Sequence, residues 1–247
     1  LDIACNKSIT KRILEDSGIP VPQGEVCTSP QEALIVAERI GYPVAIKPEK
    51  GNQGKGVSLD VSCPTEIDES FRIASKYDRN IIVEKYVPGN DYRVLVINGR
   101  VAAVARRIPA RIVGDGIHNI KELVEITNQD PKRGHDHEKP LTKIKIDRIS
   151  LKVLSKQGFN IRDIPFKGQR VLLKENGNIS TGGEAIDCTS KIHPENSCIA
   201  VRAAEIIGLD IAGIDITCPD ISQPLLSNGG AIIEVNAAPG IRMHLYP

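Results

Sequence analysis

Hydrophobic positions at the start of the chain recur with the spacing of two amphipathic helices. Asn6 can cap the first stretch, which stops at Gly18. The second stretch begins with Ser29-Pro30-Gln31-Glu32, a capping box with proline at the first helical position, and it stops at Gly41. These start and stop signals together predict two helices.

Short apolar runs of strand length follow, mixed with further helical stretches. The dipeptide Asn98-Gly99 separates two β-rich runs, 91–97 and 100–108, and predicts a hairpin. Other strands are predicted over 43–47, 57–60, 81–86 and 171–174, and helices over 65–77, 120–127, 147–157 and 194–208. Because strands and helices mix without a regular alternation, the pattern favours an α+β fold over a doubly wound parallel sheet.

Two apolar runs near the carboxyl end contain acidic residues at strand-like positions. Asp215 lies in the run 211–216, and Glu234 and Asn236 lie in the run 231–236. If the runs pair as strands, the acid of one meets the acid and the amide of the other, because residues two apart share a face. Mg²⁺ prefers such hard oxygen ligands and keeps room for phosphates. The pattern therefore predicts that these three residues bind Mg²⁺.

Composition narrows the class of protein. The 247 residues are 40% hydrophobic and 26% charged, with a net charge of +1, so no global field directs the chain to nucleic acid. An aromatic content of 3% without tryptophan argues against stacking on single-stranded nucleic acid. No apolar run approaches the roughly 18 residues that a membrane span needs. We expect neither nucleic-acid nor membrane partners.

The cysteines and the N-terminal residues indicate the cellular compartment of the protein. Six cysteines are scattered without a CxxC pair and no secretory leader is visible, which predicts reduced thiols in a cytoplasmic protein. The chain does not begin with methionine, which suggests a processed, truncated or excised segment.

Lys47 and the stretch after it form a candidate phosphate-binding element. Lys47 ends a predicted strand, and the string Gly51-Asn52-Gln53-Gly54-Lys55-Gly56 follows. A cation beside a loop of backbone N–H groups suits phosphate oxygens. The spacing matches neither the Walker A motif nor the Rossmann fingerprint, so the stretch by itself is equally compatible with a mobile turn.

A second strand end offers groups for the rest of a nucleotide. The backbone of Glu84-Lys85-Tyr86-Val87 could contact an adenine edge, and Asp91 could accept hydrogen bonds from ribose hydroxyls. The alternative is a solvated strand end, which the segment taken alone would favour.

Several of these strings occur in an order that resembles the ATP-grasp carboxylate–amine ligases. They are Asn6-Lys7, Val44-Ala45-Ile46-Lys47-Pro48, the glycine-rich stretch, Val83-Glu84-Lys85, Asp215 and Glu234-Val235-Asn236-Ala237-Ala238-Pro239-Gly240. Longer strings resemble one branch of this family, whose ligases extend a polyaspartate backbone. They are 114–116, 137–144, 179–183, 212–216 and 235–244. The resemblance covers essentially the whole chain. It implies that the chain is a fragment of a longer multidomain enzyme, because other regions of such ligases are missing.

The resemblance implies an ATP-grasp fold in which two α+β lobes hold ATP between them. The N-terminal lobe would comprise about 1–86, and the C-terminal lobe about 87–247 with a polar insertion near 114–143. The implied nucleotide-binding residues are Lys7, Lys47, Gly51, Asn52, Gly54, Gly56, Glu84, Lys85, Tyr86, Val87 and Asp91, and the implied ligands of Mg²⁺ are Asp215, Glu234 and Asn236.

The resemblance also implies the reaction. ATP and Mg²⁺ would convert a carboxylate into an acyl phosphate, which an amine then attacks, and the branch implies aspartate addition to a peptide polymer. The alternatives are a ligase of the glutathione or D-Ala-D-Ala type, and an ATP-binding module that is inactive without its missing regions. The expected partners are an amino acid and a peptide polymer, in a full-length enzyme that forms a homo-oligomer.

An anionic substrate needs cations of its own. We predict Arg107 and Arg242 as substrate clamps with catalytic roles alongside Lys47, because guanidinium forks suit carboxylates. Adjacent residues of a strand point to opposite faces, so at most one of Arg106 and Arg107 should serve. The string Ser180-Thr181-Gly182-Gly183 is predicted to hydrogen-bond the end of the substrate chain.

Overall fold

The computed structural model describes residues 6–51, 54–135 and 138–245. It contains two compact units, Leu1–Val104 with Thr189–Pro239 and Ala105–Cys188 with Gly240–Pro247. Both units combine helices with mainly antiparallel sheets, which confirms the predicted α+β class. The predicted division into lobes at about residue 86 concerns how ATP is held, and it stays a prediction.

The secondary-structure elements alternate irregularly along the chain. The helices are α1 (Lys7–Asp16), α2 (Pro30–Ile40), α3 (Pro64–Ser75), α4 (Ile120–Thr127), α5 (Arg148–Lys156), α6 (Pro194–Ile207), α7 (Leu225–Asn228) and α8 (Arg242–Leu245). The strands are β1 (Gly24–Cys27), β2 (Val44–Pro48), β3 (Ser58–Val61), β4 (Ile81–Lys85), β5 (Asn90–Ile97), β6 (Arg100–Ile108), β7 (Arg111–Val113), β8 (Arg133–Gly134), β9 (Leu141–Thr142), β10 (Arg170–Leu172), β11 (Glu184–Asp187), β12 (Ile211–Cys218) and β13 (Ala231–Asn236). Within the described ranges, every helix is too short or too polar to cross a bilayer.

The first helices begin where the sequence predicts. The Asn6 side chain accepts hydrogen bonds from the backbone N–H groups of Ser8 and Ile9 at the start of α1. Ser29 caps α2 by accepting from the Glu32 N–H at 3.2 Å. Both caps satisfy N–H groups that have no partner within the helix.

The first unit contains a four-stranded antiparallel sheet in the order β1-β4-β2-β3, and α2 and α3 pack on it over a shared apolar core. The sequence did not predict β1. Its four residues are exposed except for Cys27, so they lack the alternation of buried and exposed positions that marks a strand.

The same unit contains the strands predicted to carry the acids. β12 lies between β5 and β13 and pairs antiparallel with both, so the predicted pairing of the acid-bearing strands is confirmed. The predicted hairpin of β5 and β6 is also confirmed. Asn98 and Gly99 both have positive φ, 47° and 69°, as a two-residue hairpin turn requires.

The second unit surrounds an apolar core formed by β7, β10, α4 and α5. The second half of β6 pairs with β11, and the parallel pair of β8 and β9 lies within the polar insertion. The predicted helix over 120–127 is confirmed, and Asn119 caps it with a capping box to Glu122. β8 and β9 are two residues long, which is too short for a periodic signal.

Candidate nucleotide and metal site

A buried carboxylate shared by two lysines lies at the centre of the first unit's candidate site. Lys47 on β2 donates from Nζ to Glu84 Oε1 on β4 at 2.7 Å, and Lys11 on α1 donates to the other carboxylate oxygen. All three charged groups are largely removed from solvent. The two lysines therefore share one anion.

This sharing determines the protonation of the cluster. Burial, reinforced by the charge of Lys47 and only partly offset by Glu84, lowers the pKa of Lys11 to about 7. Burial would also lower the pKa of Lys47, but the Glu84 carboxylate outweighs burial, so that pKa is raised. Burial would raise the pKa of Glu84, yet the two ammonium groups hold it below its usual range. Lys47 therefore stays protonated and positively charged near neutral pH.

Lys7 links the start of the glycine-rich stretch to the last strand of the sheet. Its Nζ donates to the Gly51 carbonyl at 2.6 Å and lies 3.6 Å from Glu234 Oε1. One predicted phosphate-binding lysine therefore contacts both a predicted loop residue and a predicted metal ligand.

In the glycine-rich stretch, Gly54 and Gly56 have φ of 71° and 75°, a region that favours glycine. Asn52 lies outside the described residues.

The three predicted metal ligands lie on one face of the β12–β13 pair. Asp215 faces Glu234, and Gly213 faces Asn236, whose amide nitrogen donates to the Gly213 carbonyl at 3.2 Å. The register shifts just after Asp215, and such a bulge re-aims the neighbouring side chains.

Arg93, which the sequence analysis did not single out, forms an ion pair with Asp215. Its Nε donates to one carboxylate oxygen, and a terminal nitrogen donates to the other at 3.2 Å. Gly213 leaves room for this guanidinium, because a Cβ there would lie 3.0 Å from Arg93 Cδ and 3.1 Å from a terminal nitrogen.

The donor set fits Mg²⁺. Two carboxylates and an amide oxygen are the hard ligands that Mg²⁺ takes, and a ligating carboxylate is normally held by a hydrogen bond from an outer residue. Arg93 supplies that bond to Asp215. Among the described residues no group of three or more His, Cys, Asp or Glu side chains could hold a metal.

Several polar groups of the segment predicted to contact adenine and ribose form hydrogen bonds within the protein itself. The backbone N–H of Lys85 donates to Gln23 at 2.8 Å, and that of Tyr86 donates to Pro43 at 3.1 Å. The ammonium of Lys85 donates to the carbonyls of residues 41 and 42. These donors of Lys85 and Tyr86 are therefore used within the fold, and the predicted adenine contact of residues 84–87, including Val87, stays a prediction. Asp91 accepts from the Thr217 hydroxyl at 2.8 Å.

The predicted substrate residues lie in the second unit. Arg106 and Arg107 are adjacent on β6, opposite Ile186 and Ala185 of β11, and so point to opposite faces of the sheet. A Cβ on Gly177 would lie 2.6 Å from Arg107 Cβ, so the chain passes closely over the Arg107 face.

Arg242 begins α8 and donates to the Lys139 carbonyl at 3.2 Å and to the Thr142 hydroxyl at 3.1 Å. A second arginine that the sequence analysis did not single out, Arg133, donates to the carbonyls of Thr142 and Gly182, both at 2.9 Å, and pairs with Glu184. Both guanidinium groups therefore attach to the same short segment of the insertion.

The predicted chain-end loop is a 3₁₀ turn over Ile179–Thr181 that ends at Gly182 with φ of 96°. Ser180 is exposed, whereas the Thr181 hydroxyl donates back to Asn178. A Cβ on Gly183 would lie 2.8 Å from two carbonyl oxygens, so only glycine fits there.

Of the unpredicted residues, only Lys11 had a usable sequence signal. It lies four residues after Lys7 in a helix, so the two lysines share a helix face. Arg93 and Arg133 lie in ordinary strand and turn sequence, and their partners are distant in the chain.

Comparison with known proteins gives the class of this chain. The model of the ATP-grasp domain matches residues 4–80. The bifunctional glutathione synthetase of Pasteurella multocida has a similar structure, with a TM-score of 0.67 and 35% identity over 98% of this chain and 33% of that one. The D-alanine–D-alanine ligase of Bacillus anthracis shares the fold, with a TM-score of 0.58. The chain therefore contains an ATP-grasp domain and has the fold of the ATP-grasp family.

Within that family, the chain is similar to cyanophycin synthetases. It is 48% identical to the cyanophycin synthetase of Crocosphaera subtropica over 100% of its own length and 29% of that protein. It is 38% identical to the glutathione biosynthesis bifunctional protein of Listeria welshimeri over 98% of its length and 31% of that protein. The chain thus spans less than a third of the curated relatives it matches.

Proposed function

We propose that this chain is the ATP-grasp portion of a ligase that uses ATP and Mg²⁺ to join a carboxylate to an amine. The specific reaction we propose is the addition of aspartate to the backbone of cyanophycin, multi-L-arginyl-poly-L-aspartate. The observation that supports a nucleotide site most directly is the position of Lys7, which contacts Gly51 and lies 3.6 Å from Glu234. One cation thus joins the glycine-rich stretch to the acidic strand.

The first unit would bind and orient the nucleotide. Lys7 and Lys47 would neutralise phosphate oxygens, and transfer of a phosphoryl group depends mainly on such positioning and charge stabilisation. Asp215, Glu234 and Asn236 would hold Mg²⁺, which when bound neutralises charge on the phosphates. Arg93 would keep the Asp215 carboxylate in one orientation.

The second unit would bind the acceptor chain. Arg107 and Arg242 are the proposed clamps for its carboxylates, and the turn that includes Ser180 and Thr181 is the proposed contact with its end. Arg133 would support the turn, because it donates to the Gly182 carbonyl. The substrate carboxylate itself would attack ATP, so no protein nucleophile is required.

Two alternatives remain as outcomes of the test. The first is a ligase of the glutathione type, which the 38% identity to the Listeria protein supports. The higher identity of 48% to cyanophycin synthetase favours the aspartate reaction. The second is a nucleotide-binding module that is inactive by itself, because the chain spans only 29% of that relative.

The location and assembly are also part of the proposal. The five cysteines among the described residues are free thiols, which suits a reducing cytoplasm. The proposed partners are an amino acid and a peptide polymer, and we expect the longer protein to be a homo-oligomer.

A phosphate-release assay tests the reaction. Short aspartate–arginine primers with L-aspartate should stimulate release, whereas γ-glutamylcysteine with glycine should not. Preference for γ-glutamylcysteine would overturn the specific assignment. Binding of MgATP by calorimetry without turnover on either substrate would identify the inactive module.

A further inference from the structure

Glu49 lies two residues before the glycine-rich stretch and is a buried carboxylate held by neutral donors. Only 6% of the residue is exposed. One carboxylate oxygen accepts from the Ser8 hydroxyl on α1, and the other accepts from the Asn80 amide at 2.9 Å, just before β4. The side chain therefore joins two elements that are distant in sequence.

The backbone of the same segment is fixed to the turn before β4. The N–H of Glu49 donates to the Asn80 carbonyl at 2.9 Å, and the N–H of Lys50 donates to the Asp78 carboxylate at 2.7 Å. Burial would raise the pKa of Asp78, but hydrogen bonds from the backbone N–H groups of Lys50, Asn80 and Arg79 outweigh it and hold that pKa below its usual range, so this anchor stays charged.

The attachment to α1 depends on where the single hydroxyl proton of Ser8 goes. Ser8 Oγ lies 2.8 Å from Asn6 Oδ1, which already accepts the backbone N–H groups of Ser8 and Ile9 at 3.1 Å each. The Glu49 carboxylate is the charged acceptor, and hydrogen bonds to charged acceptors are the stronger ones. The proton therefore points to Glu49.

Lys7 precedes Ser8 and donates to the Gly51 carbonyl at 2.6 Å. Two adjacent residues of α1 thus attach to residues 49 and 51. A carboxylate would repel nucleotide phosphates, so a direct contact between Glu49 and ATP is unfavourable. Its role is to hold other groups in place.

We propose that Glu49 is a positioning residue for the nucleotide. Its carboxylate ties the start of α1 to the segment before the glycine-rich stretch, and this places the Lys7 ammonium beside Gly51, where phosphate would bind. The inference rests on the proposed function of the first unit as a nucleotide site. Glu49 is not one of the nucleotide-binding residues that the sequence predicts.

Two variants separate hydrogen bonding from charge. Glu49→Ala removes both attachments. Glu49→Gln keeps them, because its amide nitrogen can donate to Ser8 while Ser8 donates to Asn6, and its oxygen still accepts from Asn80. Glu38→Ala, at an exposed site on α2, is the matched control.

The measurements are calorimetric binding of a non-hydrolysable ATP analogue with Mg²⁺, and hydrogen–deuterium exchange over residues 44–51. We expect Glu49→Ala to weaken binding by about tenfold or more, because it removes both hydrogen bonds that tie this segment to its neighbours. In this variant, bound nucleotide should no longer slow hydrogen exchange over residues 44–51. Glu49→Gln and Glu38→Ala should bind like the wild type.

Each other outcome overturns a specific claim. A wild type that does not bind nucleotide overturns the proposed function, and the inference with it. Wild-type affinity in Glu49→Ala overturns the inference alone, as does equal weakness of the Gln and Ala variants. If Glu49→Ala does not fold by circular dichroism, Ser8→Ala removes only the α1 attachment, and unchanged affinity in that variant overturns the inference.

Discussion

At the scale of residues, the candidate nucleotide site depends on how three buried charges divide their interactions. Glu84 neutralises Lys11 and Lys47 together, so two cations rely on one anion. Glu234 adds a smaller favourable charge at Lys47, and under the proposed function a nucleotide phosphate would add a further anion. Removing one partner of a buried ion pair is costly, because the other charge is then buried without compensation.

The role of Lys47 is testable by removing its ammonium. We expect Lys47→Ala to lower phosphate release by roughly a hundredfold or more, since it would remove a preorganised cation from the transferring phosphoryl group. The fold should survive, because Glu84 keeps Lys11 as a partner. Lys50→Ala, an exposed lysine nearby, should remain active. Near-wild-type turnover in Lys47→Ala would remove Lys47 from the site.

Lys11 predicts a pH dependence of stability. Its pKa falls from 10.5 to about 7 on folding, so between these values the unfolded chain binds more protons and the free energy of unfolding rises with pH. Below pH 7 the lysine is charged in both states and the full cost of burial is present. From pH 7 to 9 we expect a gain of about 2 kcal/mol for wild type over Lys11→Met.

Urea unfolding at pH 7, 8 and 9 measures this difference. The range ends at pH 9 because burial raises the pKa of Cys27 to about 11, which lowers stability as pH rises from 9 to 11. A flat difference between wild type and Lys11→Met would show that Lys11 has an ordinary pKa in the folded protein.

At the scale of elements, the pairing of β12 with β13 and β5 holds the acidic face together. Gly213 on β12 is the tight point, because a Cβ there would lie 2.6 Å from Pro239 Cβ and 3.0 Å from Arg93 Cδ. The position of β12 and the Arg93–Asp215 ion pair therefore both depend on the lack of a side chain at Gly213.

We expect Gly213→Ala to destabilise the protein by about 1 to 3 kcal/mol, because a methyl group forced into a packed site displaces its neighbours. Thermal and urea unfolding would measure the change. Gly240→Ala is the matched control, since in the described part of the chain no atom beyond its immediate neighbours in sequence lies within 4 Å of a Cβ there. Equal stability of Gly213→Ala and wild type would mean that Arg93 and Pro239 move aside freely.

Element prediction succeeded where the signal was local. The caps Asn6 and Ser29 start helices as expected, and Asn98-Gly99 forms the turn, because these signals act within a few residues. Prediction failed for β1 and β11, whose short sequences gain their strand geometry from pairing with β4 and β6. Such strands exist only because a neighbour supplies their hydrogen bonds.

At the scale of the whole molecule, ligand binding should stabilise the unit that contains the site. A ligand that binds only the folded state raises the melting temperature by mass action. A non-hydrolysable ATP analogue with Mg²⁺ should therefore raise the melting temperature of wild type by several degrees.

Glu234→Ala should lose both this shift and turnover while keeping the wild-type melting temperature without ligand, because Glu234 is partly exposed. Glu15→Gln, an exposed acid on α1, is the control and should retain the shift. A full shift and full turnover in Glu234→Ala at ordinary Mg²⁺ would overturn its role as a ligand.

The sequence by itself determined the class of fold, the capped helices, the hairpin and the two acid-bearing strands, because periodicity and turn chemistry act over short distances. Only the tertiary structure decided which charges meet. Lys47 reaches Glu84 across 37 positions, and Arg93 reaches Asp215 across 122. Contacts of that range depend on how sheets and helices pack, and no local pattern records them.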